Sequence, residues 1–128
     1  MVVIIFLVAL LGIFHLMGIQ GLYDTVPHYD DFLHIAGGII AALVVHRILA
    51  VLKIRMRWFL VIFWVVVIGV SWEASEYVWD LIIAPRYGLP LLQRGTGDTV
   101  FDILNDIIGA GLVVTVNFFR EEKAGEKA

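Results

Sequence analysis

Four long apolar blocks constrain this chain more than any other feature, because each has the length needed to cross a bilayer. A span needs roughly 20 mainly apolar residues, and stretches 1–19, 31–52, 58–83 and 98–119 all qualify. Composition points the same way. The chain is 61% hydrophobic and 16% charged, with a mean hydropathy of +0.94. A soluble domain has about 25% charged and about 45–50% apolar residues. These values exclude a disordered chain, a nucleic-acid binder and a water-soluble enzyme. The absence of cysteine removes disulfides, thiolate metal sites and cysteine nucleophiles together. A length of 128 residues leaves room for one domain. The expected fold is therefore all-α: an integral membrane bundle of four transmembrane helices over residues 1–119, followed by a charged, solvated tail at 120–128.

Orientation follows from Lys and Arg. A secretory signal opens with positive charge, yet the first basic residue here is Arg47, so the first helix is expected to be retained. Arg47, Lys53, Arg55 and Arg57 surround the second connection, and Arg120, Lys123 and Lys127 follow the fourth span. Only Arg86 and Arg94 lie in the third connection. This asymmetry predicts that both termini and the 53–57 turn are cytoplasmic. Trp58 then lies at the inner interface, with Tyr23, Tyr29, Trp79 and Tyr87 near the outer one.

The acids carry the chemistry. Outside the tail they are Asp24, Asp30, Asp31, Glu73, Glu76, Asp80, Asp98, Asp102 and Asp106, all in the outer loops or outer halves of spans. At a rise of about 1.5 Å per residue, Glu73 lies about 15 Å below the outer end of its helix, Asp106 about 12 Å and His34 about 5 Å. Glu73 and Glu76 share one helix face, as do Asp98, Asp102 and Asp106, and Asp30 lies one turn before His34. A carboxylate at mid-membrane costs about 2.5–3.5 kcal/mol, so Glu73, Glu76, Asp102 and Asp106 would cost roughly 10–14 kcal/mol if unpaired. No Lys or Arg lies at that depth. Protonation, a bound cation or a water-filled cleft must relieve the charge.

Two readings of the cluster compete. In the structural one, the acids hydrogen-bond to Ser71, Ser75, Asn105 and backbone and hold the bundle together. In the functional one, Glu73, Glu76, Asp102 and Asp106 form a buried acidic core with His34 and Asp98 at its mouth. His34 is then a general acid–base, or the nitrogen ligand of a divalent metal, oriented by Asp30. Oxygen ligands plus one imidazole (His34, Glu73, Glu76, Asp102, Asp106) suit Mg²⁺, Mn²⁺ or Zn²⁺. Arg86 and Arg94, above the cleft, offer guanidinium groups to a phosphate or carboxylate. His15 and His46 read as packed or interfacial histidines. Gly37, Gly38, Ala41 and Ala42, with Gly109, Ala110 and Gly111, let helices approach closely, or provide a homo-oligomer face. P-loop and Gly-x-Ser-x-Gly signatures are absent.

Tyr29-Asp30-x-x-x-His34, then Trp72-Glu73-x-x-Glu76, then Gly97-Asp98-x-x-x-Asp102-x-x-x-Asp106-x-x-Gly109-Ala110 resembles the pattern of small polytopic proteins of the VanZ-like and YjdF-like type, over roughly residues 29–111. Asp31-x-x-His34 and Asp102-Ile-Leu-Asn105 resemble the VanZ-like motifs, although Asp106 stands where that pattern has an Asn. Asp30 and Glu76 fit the YjdF-like pattern better. The resemblance implies a bacterial or archaeal cytoplasmic-membrane protein associated with envelope lipids. It does not supply a reaction.

The expectation is an outward-facing acidic intramembrane site that binds or processes a lipid headgroup or lipid phosphate, with or without a divalent metal, and with membrane lipid rather than nucleic acid as partner. Whether it is an enzyme or a binder stays open at this point. A proton- or cation-coupled transporter and a structural or assembly subunit are the alternatives. Below Glu73 and Asp106 the inner half has no ionisable relay, which disfavours transport. The orientation predicts that tags at both ends are protected in intact cells and exposed only after permeabilisation. An externally labelled C-terminus would contradict it.

Overall fold

In a computed structural model, residues 2–54 and 58–125 are described, with side chains through Phe119. Arg55, Arg57 and the side chains of Arg120, Lys123 and Lys127, on which part of the orientation argument rests, lie outside the described residues, as do 126–128. All regular structure among the described residues is helical. Four helices are long and apolar enough to cross a membrane: α1 (Val2–Thr25), α2 (Tyr29–Val51), α3 (Trp58–Tyr87) and α4 (Thr96–Gly125).

Each helix outruns its sequence-based span at the end that carries the acids. α1 continues past Ile19 through a widened turn at Gly18–Leu22, where Gly21 takes a left-handed φ of 125° that only glycine adopts without strain. One further turn, Tyr23–Thr25, closes it. α3 contains a second widened turn at Trp79–Ile83 and stops after Tyr87, where Gly88 takes φ 64°. α4 passes Phe119 and ends at Gly125.

Packing is uneven. α2 and α4 form the closest pair, α3 packs on both, and α1 lies mainly along α2. Large apolar side chains are exposed along all four long helices, as on a lipid-facing surface, and α1 buries no residue fully between Val2 and Met17. The apolar core, made of Ala42, Val45, Leu49, Val61, Val65 and Ala110, occupies the half of the bundle away from the acids. The small residues on α2 and α4 are spent inside this chain. A Cβ on Gly38 would fall into the backbone of Asp106, and one on Gly109 into the carbonyl of Ile35.

These contacts predict that Gly38→Ala and Gly109→Ala push α2 from α4 and destabilise the protein by about 1–3 kcal/mol, the usual cost of overpacking. Gly111→Ala is the control, since its Cβ would meet nothing within 4 Å. Thermal unfolding in detergent should separate the first two variants from the third. Equal stability of all three would contradict the packing account.

Candidate functional site

His34 sits at the centre of the acids, not at their mouth. It is 5% exposed, and so is Glu73; Asp102 is 2% exposed and Asp106 6%. The imidazole Nε2 lies 3.8 Å from Asp30 Oδ1, 3.7 Å from Glu73 Oε1 and 3.9 Å from Asp102 Oδ1. Those three oxygens come from α2, α3 and α4. On its other side, Nδ1 lies 3.5 Å from Asp106 Oδ1. Asp106, rather than Asp30, therefore holds the ring from behind, and Asp30 joins the Nε2 face. Asp30, His34 and Asp102 bring ligand atoms within 4.8 Å of one another, close enough to hold one metal ion. One imidazole can offset at most one of the surrounding carboxylate charges.

The local fold explains how these groups meet. Asp30 and His34 share a face of α2, and Asp102 and Asp106 share a face of α4. Gly69 makes room on α3, because a Cβ there would press on Asp106 Oδ2. The widened turn of α3 presents Asp80 to the following loop, where its two oxygens accept from the amides of Leu92 (2.8 Å) and Gln93 (3.0 Å). Trp79 Nε1 donates to Pro90 carbonyl oxygen at 3.2 Å in the same loop. Thus fixed, Gln93 donates its side-chain amide to Glu73 Oε2 at 2.7 Å and to Thr99. Glu73 Oε1 is buried with no hydrogen-bond partner among the described residues. Glu76, also buried, accepts from Trp72 Nε1 at 2.9 Å.

The partners required by a purely structural reading are engaged elsewhere. Ser71 and Ser75 donate to carbonyls of their own helix, Val67 and Trp72. Asn105 donates to Asp31 at 2.8 Å, tying α4 to the start of α2. The arginines differ from each other. Arg86 is exposed and lies over the ring of Tyr87. Arg94 reaches the site's mouth, where Nη2 donates to the Tyr23 carbonyl (2.7 Å) and to Asp24 (3.3 Å), while its amide donates to Asp98.

Two cavities meet at the cluster. A polar vestibule of about 230 Å³ is lined by Asp24, His28, Asp30, Asp31, Arg94 and Asp98. An apolar groove of about 380 Å³ runs between α1, α2 and α3 and ends on His34 and Asp106. His15 lines that groove, accepts or donates a hydrogen bond with the Tyr23 hydroxyl at 2.5 Å, and meets the Trp72 ring edge-on.

Profile comparison then places the molecule. Residues 2–123 match the family described as "Predicted membrane protein (DUF2238)". The chain belongs to the DUF2238 family. The match takes in all four spans and every residue of the cluster. No curated protein and no solved structure shows a significant match.

Gln93, Asp80 and the cavity-lining His15 were not singled out from sequence. Gln93 lies in an irregular loop where no periodicity marks it, and Asp80 looked like one more outer acid. The staple predicts that Asp80→Ala frees the loop. Amide exchange at Leu92 and Gln93 should rise about tenfold or more, since a hydrogen bond to a charged group contributes about 1.5–3 kcal/mol. Unchanged protection at both amides would show that the loop is held by other means.

Proposed function

We propose that this DUF2238 protein holds a divalent cation at its buried cluster and uses it to bind the phosphate of a lipid headgroup that arrives from the outer side of a cell membrane. The supporting observation is the convergence of three carboxylates from three helices on one imidazole nitrogen, one of them through the buried Glu73 Oε1, which has no hydrogen-bond partner among the described residues. Asp30, Asp102 and His34 Nε2 are the ligands, with Glu73 Oε1 available as a fourth. Asp106 at Nδ1 supplies the carboxylate behind the ligating histidine that fixes such rings and raises their basicity. Oxygen donors with one imidazole suit Mg²⁺, Mn²⁺ or Zn²⁺.

The charge balance favours this reading. An anionic headgroup would be repelled by the acids alone, and among the described residues Arg94 is the one arginine at the mouth. A cation reverses the local field and can polarise a phosphate oxygen. The expected cytoplasmic termini and outward-facing site, together with the sequence resemblance to VanZ-like and YjdF-like proteins, support a role at envelope lipids. The transport alternative is disfavoured by the apolar plug of Val45, Leu49, Val61 and Val65 beyond the cluster, which offers an ion no further polar step.

Elemental analysis of the full chain, purified without chelator, is expected to find about one Mg, Mn or Zn per molecule. His34→Ala and Asp102→Asn should remove it, and Asp106→Asn should weaken binding by about 10–100-fold, the range for a carboxylate behind a ligand. Glu73→Gln and Asp102→Asn keep hydrogen bonding while deleting charge, so normal metal content and phospholipid binding in both would overturn the proposal in favour of structural acids.

A further inference from the structure

The groove is carved from missing side chains. Gly12 of α1, Gly37 of α2 and Gly69 of α3 all line it. A Cβ on Gly12 would meet nothing within 4 Å, and one on Gly37 would meet only ordinary contacts with Asp106 and Leu11. Glycine in a helix interior costs about 1 kcal/mol relative to alanine, and at Gly12 close helix packing gives no return for it. Val8 and Ile68, on opposite walls, are both exposed as well as lining, so the groove opens sideways between α1 and α3. Those two helices meet at the edge-on contact of His15 with Trp72, 4.9 Å between ring centroids.

The groove adjoins the vestibule. Asp30 and Tyr23 line both cavities, so the polar space and the apolar space share a wall. An apolar slot open to the bilayer, beside a charged pocket at the membrane surface, has the form of an amphiphile. The vestibule carries both signs: the Arg94 guanidinium, 3.3 Å from Asp24, and the carboxylates of Asp30, Asp31 and Asp98. That pairing complements a zwitterion, with phosphate toward Arg94 and the cation site and ammonium toward the carboxylates.

We propose that the ligand is a zwitterionic phospholipid with an ethanolamine-type headgroup, one of whose hydrocarbon chains lies in the groove between α1 and α3 while the headgroup occupies the vestibule. This rests on the headgroup reading above and names its substrate class and route of access. The lipid arrives laterally, and its chain passes the His15–Trp72 contact to lie against Gly12 and Gly37.

Trp72 lines the groove and reports on it. In the full chain in detergent, Trp58, Trp64 and Trp79 are replaced by Phe, and the protein is titrated with phosphatidylethanolamine carrying brominated acyl chains. Saturable, single-site quenching of Trp72 is expected. Gly12→Leu and Gly12→Phe, which fill open space, should raise the half-saturating concentration progressively, by at least about tenfold for Phe. Brominated phosphatidylglycerol should also bind at least about tenfold more weakly. Quenching that does not saturate, is indifferent to both Gly12 variants, or is equal for the two lipids would overturn the proposal. Metal content of the same samples separates the two readings. A full complement of metal without saturable quenching refutes the groove alone, whereas saturable quenching in metal-free protein supports the groove and refutes the cation centre.

Discussion

The structure depends on relieving carboxylate charge inside a membrane-embedded bundle. Glu73, Glu76, Asp102 and Asp106 are buried together with His34, in a setting where an unrelieved charge costs several kcal/mol. Hydrogen bonds relieve part of it, through Trp72 to Glu76 and Gln93 to Glu73. The rest converges on one imidazole, which accounts for the closeness of three helices at this level. Such a cluster is stable as a neutralised unit, by protons or by a cation; Glu73 Oε1 lies 3.7 Å from His34 Nε2 with no hydrogen-bond partner among the described residues.

Backbone proximity makes the cluster geometrically available. Gly38 and Gly109 let α2 and α4 approach to where a methyl group would collide with the opposing backbone, and Gly69 admits Asp106 beside α3. The bundle is consequently divided along its length. One half is an apolar plug, the other a polar site fed by two cavities. α1 stands apart from this division, packed mainly on α2, and its looseness against α3 leaves the lateral groove.

Much of this was legible in the sequence. Hydropathy gave four spans, and the spacing of Glu73, Glu76, Asp102 and Asp106 placed these acids on inward faces, where they are buried. The first span's limit fell short because its apolar run stops at residue 19, before the outer acid Asp24, whereas a widened turn at Gly21 carries α1 on to Thr25. His34 was expected at the mouth from its depth below Asp31. Distance along one helix does not show that neighbouring helices bring acids to both ring nitrogens. Gln93 was invisible because its position depends on Asp80 folding an irregular loop. The groove was invisible because it depends on absences on separate helices, at Gly12 and Gly37, which no single helical period reveals.

The central claim is that His34 and its surrounding carboxylates form one cation centre. Electron spin-echo measurements on the Mn²⁺-loaded full chain address it most directly. The account predicts ¹⁴N modulation from a single directly bound imidazole, abolished in His34→Gln while the fold is retained. A Mn²⁺ signal without nitrogen coupling, or one unchanged by that substitution, would contradict it.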